Sequence, residues 1–239
     1  VSGQRPVAFT RWSPLHSTAD RLQHAAPARC RIDLLDAPEN LTALDGALVD
    51  QARRVARELL ATVDDAGRRW RHTQAVAARA REGSAAVAPQ QVNLLISAAW
   101  LHDIGYAPAL ARTGFHPVDG AMHLQQQLWP PAVVGLVAHH SGSRFVAAVR
   151  EVQHHMIPFE RVGHWSGPVA DALTWADQTT GPDGNRVSVH ERIAEVLSRH
   201  GADSPQARCH PQRGPALINA VNATEDRLLL ARAAGTSSS

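Results

Sequence analysis

Residues 98–110 read AAWLHDIGYAPAL. An apolar stretch ends on an adjacent histidine and aspartate, His102 and Asp103, and a glycine follows at 105. Burying a carboxylate at the end of an apolar segment costs several kcal/mol unless it is paired or bound to a metal. The rest of the chain therefore has to supply a partner for Asp103, and the search for it organises the sequence.

The stretch closes a helical segment over 89–102, which opens on a proline and carries Val92, Leu95, Ile96, Ala99 and Trp100. Upstream, Leu41, Leu44, Leu48, Val55, Leu59 and Leu60 recur near helical spacing up to Gly67. Residues 68–81 carry Trp70, His72, Val76, Ala77 and Ala80 and stop at Gly83. Downstream, 117–128 and 131–140 each start on a proline, and 168–177, 189–199 and 215–234 read as further helices. No alternating Val/Ile-rich run of strand length stands out. The expected fold class is all-α, a bundle of short helices of mixed length. We divide the chain into an N-terminal arm at 1–38, partly disordered, a main domain at 39–200, and a C-terminal helical extension with a flexible tail at 201–239.

Composition narrows the function classes. A chain of 239 residues can form one substantial core. A net charge of +2 gives no electrostatic case for nucleic acid or an anionic membrane. No apolar run approaches the roughly 20 residues that span a bilayer, and the start of the sequence shows no signal-peptide pattern. Cys30 and Cys209 are far apart and read as reduced thiols, which points to a cytoplasmic protein. The unusual count is histidine, at 14.

Position makes those histidines informative. His72 lies inside a helical segment. His102 and Asp103 end the next. His116 precedes a helix-starting proline, LVAHHSGS puts His139 and His140 at the end of a short apolar helix, and LTWADQTTGPDG puts Asp177 at the end of an amphipathic one. Singly, each has an ordinary reading: a core histidine, a cap, a loop residue. Together they form a series of imidazoles and carboxylates that helices of a bundle can aim at one point. That donor set suits Fe, Mn, Co, Ni or Zn.

The series resembles the HD-domain superfamily of metal-dependent phosphohydrolases. RRWRHTQAVA carries His72, LISAAWLHDIGY carries His102 and Asp103, and TWADQTTG carries Asp177, which together reproduce the H…HD…D pattern over about residues 50–200. TGFHPVDGAMHL and LVAHHSGS are similar to segments that give further histidines in binuclear members. The resemblance implies that His72, His102, Asp103 and Asp177 hold one metal, and that Asp103 bridges to a second held by His116 and His139. It implies two divalent ions, Fe or Mn, with Co, Ni or Zn also compatible. A metal-activated hydroxide would cleave a phosphoester of a small, nucleotide-like substrate, with Asp103 and His140 as catalytic residues; we assign His140 to contact with the substrate or leaving group rather than to a metal. Arg144 stands four residues after His140, in position to bind phosphate oxygens. The chain departs from the HD-GYP branch, with Tyr106 where lysine is usual, and has Arg68 where some trinuclear members carry an acid. The same ligand pattern also serves a diiron oxygenase or a non-catalytic regulatory domain. A homo-oligomer is compatible with all three.

Overall fold

The computed structural model describes residues 38–160 and 165–236, with side chains from residue 46 onward. The expected N-terminal arm, Cys30 included, lies outside the described residues up to residue 37, and Pro38 already belongs to the first helix; the last three residues of the tail also lie outside. The fold is all-α. Helices run α1 (Pro38–Leu60), α2 (Arg68–Glu82), α3 (Val92–Leu101), α4 (His116–Gln126), α5 (Pro131–His139), α6 (Ser143–Val149), α7 (Ile157–Glu160), α8 (Pro168–Gln178), α9 (Val189–His200) and α10 (Pro205–Thr236). Among the described residues the only strand-like pairing is an isolated bridge between Thr180 and Arg186.

The middle of the bundle is α3. Every side chain from Leu95 to Leu101 is buried, as expected of a helix that is apolar all round. α1, α2, α5 and α8 pack against it. This is why the opening stretch matters. The end of α3 is the end of the core, and whatever follows Leu101 emerges inside the molecule.

Gly105 explains the spelling of that end. A Cβ on Gly105 would lie 1.9 Å from the carbonyl oxygen of His116 and 2.7 Å from the backbone nitrogen of Gly120. Only a residue without a side chain lets the turn after Asp103 sit directly on the first turns of α4. That contact carries His116, the first residue of α4, to the end of α3. Pro117 follows at the start of the helix, where its missing N–H costs nothing.

Three boundaries differ from the sequence expectation. The first helix ends at Leu60, not near Gly67, because Asp65 turns to the next helix: its Oδ2 accepts the backbone N–H of Arg69 at 2.8 Å. The third begins at Val92, with a short 3-10 turn over Pro89–Gln91 in place of its first residues. The last begins at Pro205 rather than 215 and runs through Pro211 and Pro215. Each internal proline removes a helical N–H, at a cost of about 3 kcal/mol in an unsupported helix. Here burial of Cys209, Leu217, Val221 and Leu228 against the body, chiefly α8 and α9, sustains the helix. α6 and α7 lack a sequence signal strong enough to mark them, being seven and four residues long.

Gly105→Ala should therefore lower stability by about 3 kcal/mol or more, because backbone rather than a flexible side chain blocks the new methyl. Gly46→Ala, where nothing lies within 4 Å, should raise stability by about 0.5–1 kcal/mol. Denaturant unfolding of the two variants checks the contrast, and equal stabilities would contradict it.

Candidate metal centre

Asp103 is 3% exposed and sits among four imidazoles and one guanidinium. Its two oxygens face different partners. Oδ2 lies 3.3 Å from His102 Nε2 and 3.9 Å from His72 Nε2, and it accepts a hydrogen bond from Arg69 Nη1 at 2.6 Å. Oδ1 lies 3.4 Å from His116 Nε2 and 3.8 Å from His140 Nε2. Two sets of potential ligand atoms result, His72–His102–Asp103 and Asp103–His116–His140, and they share the one carboxylate.

The histidines are oriented by the backbone. The Nδ1 atoms of His72, His102 and His140 lie 2.9, 2.8 and 2.7 Å from the carbonyl oxygens of Gly181, Ala99 and Val137. A carbonyl can only accept, so each Nδ1 carries the proton and each Nε2 keeps its lone pair in the neutral ring. This is the outer-shell arrangement that fixes metal-ligating imidazoles. His102 Nε2 is buried and, despite its distance to Asp103, makes no hydrogen bond. His116 and His140 bring their Nε2 atoms within 3.3 Å of each other. Lone pairs turned toward one another and a buried nitrogen without a partner fit a cation between them.

Asp177 supports this cluster from α8. Its Oδ1 lies 3.1 Å from His72 Nε2, while Oδ2 accepts from Ser141 Oγ and from Gln178 Nε2. Gly181 thus fixes one nitrogen of the His72 ring, and Asp177 sets a carboxylate oxygen beside the lone pair of the other, as two ligands of one cation would stand; LTWADQTTG has a role at both ends.

Charge follows the geometry. Burial works against the charged form of Asp103, but His102 and Arg69 outweigh it and hold the carboxyl well below its usual range. Burial likewise opposes charge on His102, yet Asp103 raises it to about 9. His140 moves the other way, to about 3, through burial and the neighbouring His102 and His116. Burial also lowers His116. At neutral pH the His116–His140 side is therefore neutral and ready to bind a cation. The His102 side holds a proton that a bound cation would expel.

Three expectations within the sequence LVAHHSGSR differ from the positions the structure gives. His140, not His139, faces Asp103. Adjacent residues on a helix point about 100° apart, so the backbone after α5 decides which of the two rings faces Asp103. α5 ends at His139, and the chain then turns through Ser141 and Gly142, both with positive φ (49° and 67°). That turn swings His140 inward. His139 stays on the outer side, where its ring stacks on Trp165 with centroids 4.7 Å apart. Arg144 is on that side too. Its guanidinium lies over Phe145 and Trp165, beside His139 in a separate cavity of about 190 Å³. The expected assignments of His139 as ligand, His140 as a residue touching only substrate, and Arg144 as phosphate binder do not match these positions. His72, His102, Asp103, His116 and Asp177 are brought together as expected.

The structure adds Arg69 and Tyr106. Arg69 stands three residues before His72, hence on the same face of α2, a signal available in the sequence. Its guanidinium lies 3.9 Å from the Tyr106 ring centroid, and that ring stacks on His116 at 4.0 Å. Tyr106, the departure after HDIG, thus braces both residues. The whole cluster opens into a cavity of about 370 Å³.

Comparison with known proteins places this geometry in context. The model of the HD domain family matches residues 69–199, more than half of the chain. The match contains each of the clustered residues. No curated protein is matched by the chain, and no solved structure is matched by it.

The two histidines of LVAHHSGS can be told apart by metal content. His140→Ala should cut bound manganese or iron by about half, because it empties one of the two sets around Asp103. His139→Ala should leave metal content unchanged. Elemental analysis of both variants measures this, and the reverse pattern would contradict the placement.

Proposed function

The chain belongs to the HD domain family, and from that premise we propose that it is a metal-dependent phosphohydrolase acting on a small phosphoester. The observation that carries the reading is the division of Asp103. One carboxylate offers each of its oxygens to a separate set of Nε2 atoms, which is the donor arrangement a pair of divalent ions requires. Ions held there would act as Lewis acids toward a phosphoryl oxygen and acidify bound water toward neutral pH.

The chain's own residues do the rest. His72, His102, Asp103 and Asp177 form one side of the centre, and Asp103, His116 and His140 the other. Fixed Nδ1 protons keep the rings from rotating or changing tautomer as charge builds up. Arg69 lines the cavity beside the carboxylate, fixed by Tyr106. Its fork suits a phosphoryl group, whose non-bridging oxygens accept charge-assisted hydrogen bonds. The cavity volume, about 370 Å³, lies at the small end of the range for ligand sites, so it suits a small metabolite or nucleotide.

The test is phosphate release from nucleoside monophosphates and p-nitrophenyl phosphate by protein loaded with manganese or iron. Asp103→Asn should lower the rate by about a hundredfold or more with helical content retained, because it removes the charge shared by both sides. Oxygen consumption without phosphate release would overturn the reading in favour of an oxygenase. An unchanged rate in Asp103→Asn would remove the centre from the chemistry altogether.

A further inference from the structure

The cavity over Asp103 does not end at the histidines. Arg192 and Arg199 from α9 and Arg213 from α10 also line it. Arg213 lies beyond the part of the chain that the family model matches. These arginines are short of counter-charge. Glu195 alone serves two of them, pairing with Arg192 Nη1 and, at 3.0 Å, with Arg199 Nε. The Arg192 side chain is 7% exposed, yet its Nε is buried without a hydrogen-bond partner. Arg213 donates from Nε to the carbonyl oxygen of Ser141 at 3.0 Å. Its partner is a neutral carbonyl, and no ion pair to Arg213 is formed among the described residues.

The acids that line the cavity are all engaged elsewhere. Asp103 and Asp177 are bound as described above. Asp119 accepts from the backbone N–H and the hydroxyl of Thr113, both at 2.8 Å. Burial pushes the Arg213 guanidinium below its ordinary value, and the charge of Asp177 offsets this only in part. A half-buried charge without an ion partner is costly. A chain that keeps it at the wall of a cavity gains when an anion arrives there.

Arg213 is also held in register with the centre. A Cβ on Gly142 would lie 3.3 Å from Arg213 Cγ. The arginine therefore rests on the turn that carries His140 and sends Ser141 Oγ to Asp177. An anion on the guanidinium fork is thereby placed relative to a phosphoryl group at Asp103.

We propose that the substrate carries two phosphoryl groups, one directed to the Asp103 centre and the other bound by Arg213 with Arg192. The proposal rests on the phosphohydrolase reading and narrows its substrate to small bisphosphorylated molecules. Arginine suits the second group because its planar fork matches two phosphate oxygens at once.

Manganese-loaded protein should be titrated calorimetrically with propylphosphonate and with trimethylene diphosphonate. The wild-type chain should bind the diphosphonate at least about tenfold more tightly. Arg213→Gln should erase that preference, and Arg213→Lys, which restores charge without the fork, should recover part of it. Equal affinities in the wild type would overturn the proposal without requiring any variant. A preference that survives in Arg213→Gln would also overturn it, since both phosphonates would then sit on the metals. If propylphosphonate binds and phosphate is released without any diphosphonate preference, only this proposal fails. If neither phosphonate binds and no phosphate is released, the phosphohydrolase reading fails with it.

Discussion

The structure turns on a buried carboxylate that has more partners than it can satisfy at once. Asp103 is almost sealed from solvent, and charge there is tolerable only because Arg69 and protonated His102 stand against it. Replacing such a group by an apolar residue is often neutral or stabilising. Asp103 is therefore weak evidence of stabilisation, and its cost calls for a reason in chemistry. The four imidazole nitrogens around it supply one. Three of the rings have spent their other nitrogen on a backbone carbonyl, so the inward nitrogens are left to a cation, which displaces the proton from His102 when it binds.

Much of the bundle is arranged to deliver those groups to one place. α3 brings His102 and Asp103 through the core. The absence of a side chain at Gly105 lets α4 begin against that end, which brings in His116. The break after α5 aims His140 inward, and α8 with its following turn sets Gly181 and Asp177 against the two nitrogens of His72. Helix ends suit this task. They lie where the backbone changes direction, so residues distant in sequence can converge without distorting a helix.

How much of this was legible in the sequence depended on what kind of rule governed each residue. Apolar periodicity marked most helices and the all-α class, because burial of one face is a local pattern. The spacing His72, His102–Asp103, Asp177 carried the family, and the clustering of these residues in the structure agrees with it. Choosing between His139 and His140 needed the backbone direction after α5, set by two positive-φ residues, of which Gly142 is the kind a sequence announces and Ser141 is not. The early start of α10 was hidden by Pro211 and Pro215, whose local cost is outweighed by packing against distant helices. Arg69 could have been found from its spacing to His72. Arg192 and Arg213 could not, since their place at the cavity depends on how α9 and α10 dock.

The central claim is that Asp103 is shared between two cation sites. It is tested most directly by anomalous scattering from crystals of the protein grown with manganese. The account predicts two anomalous peaks, one on each oxygen of Asp103, with His72 and His102 around the first and His116 and His140 around the second. A single peak, or one bound by His139, would contradict it.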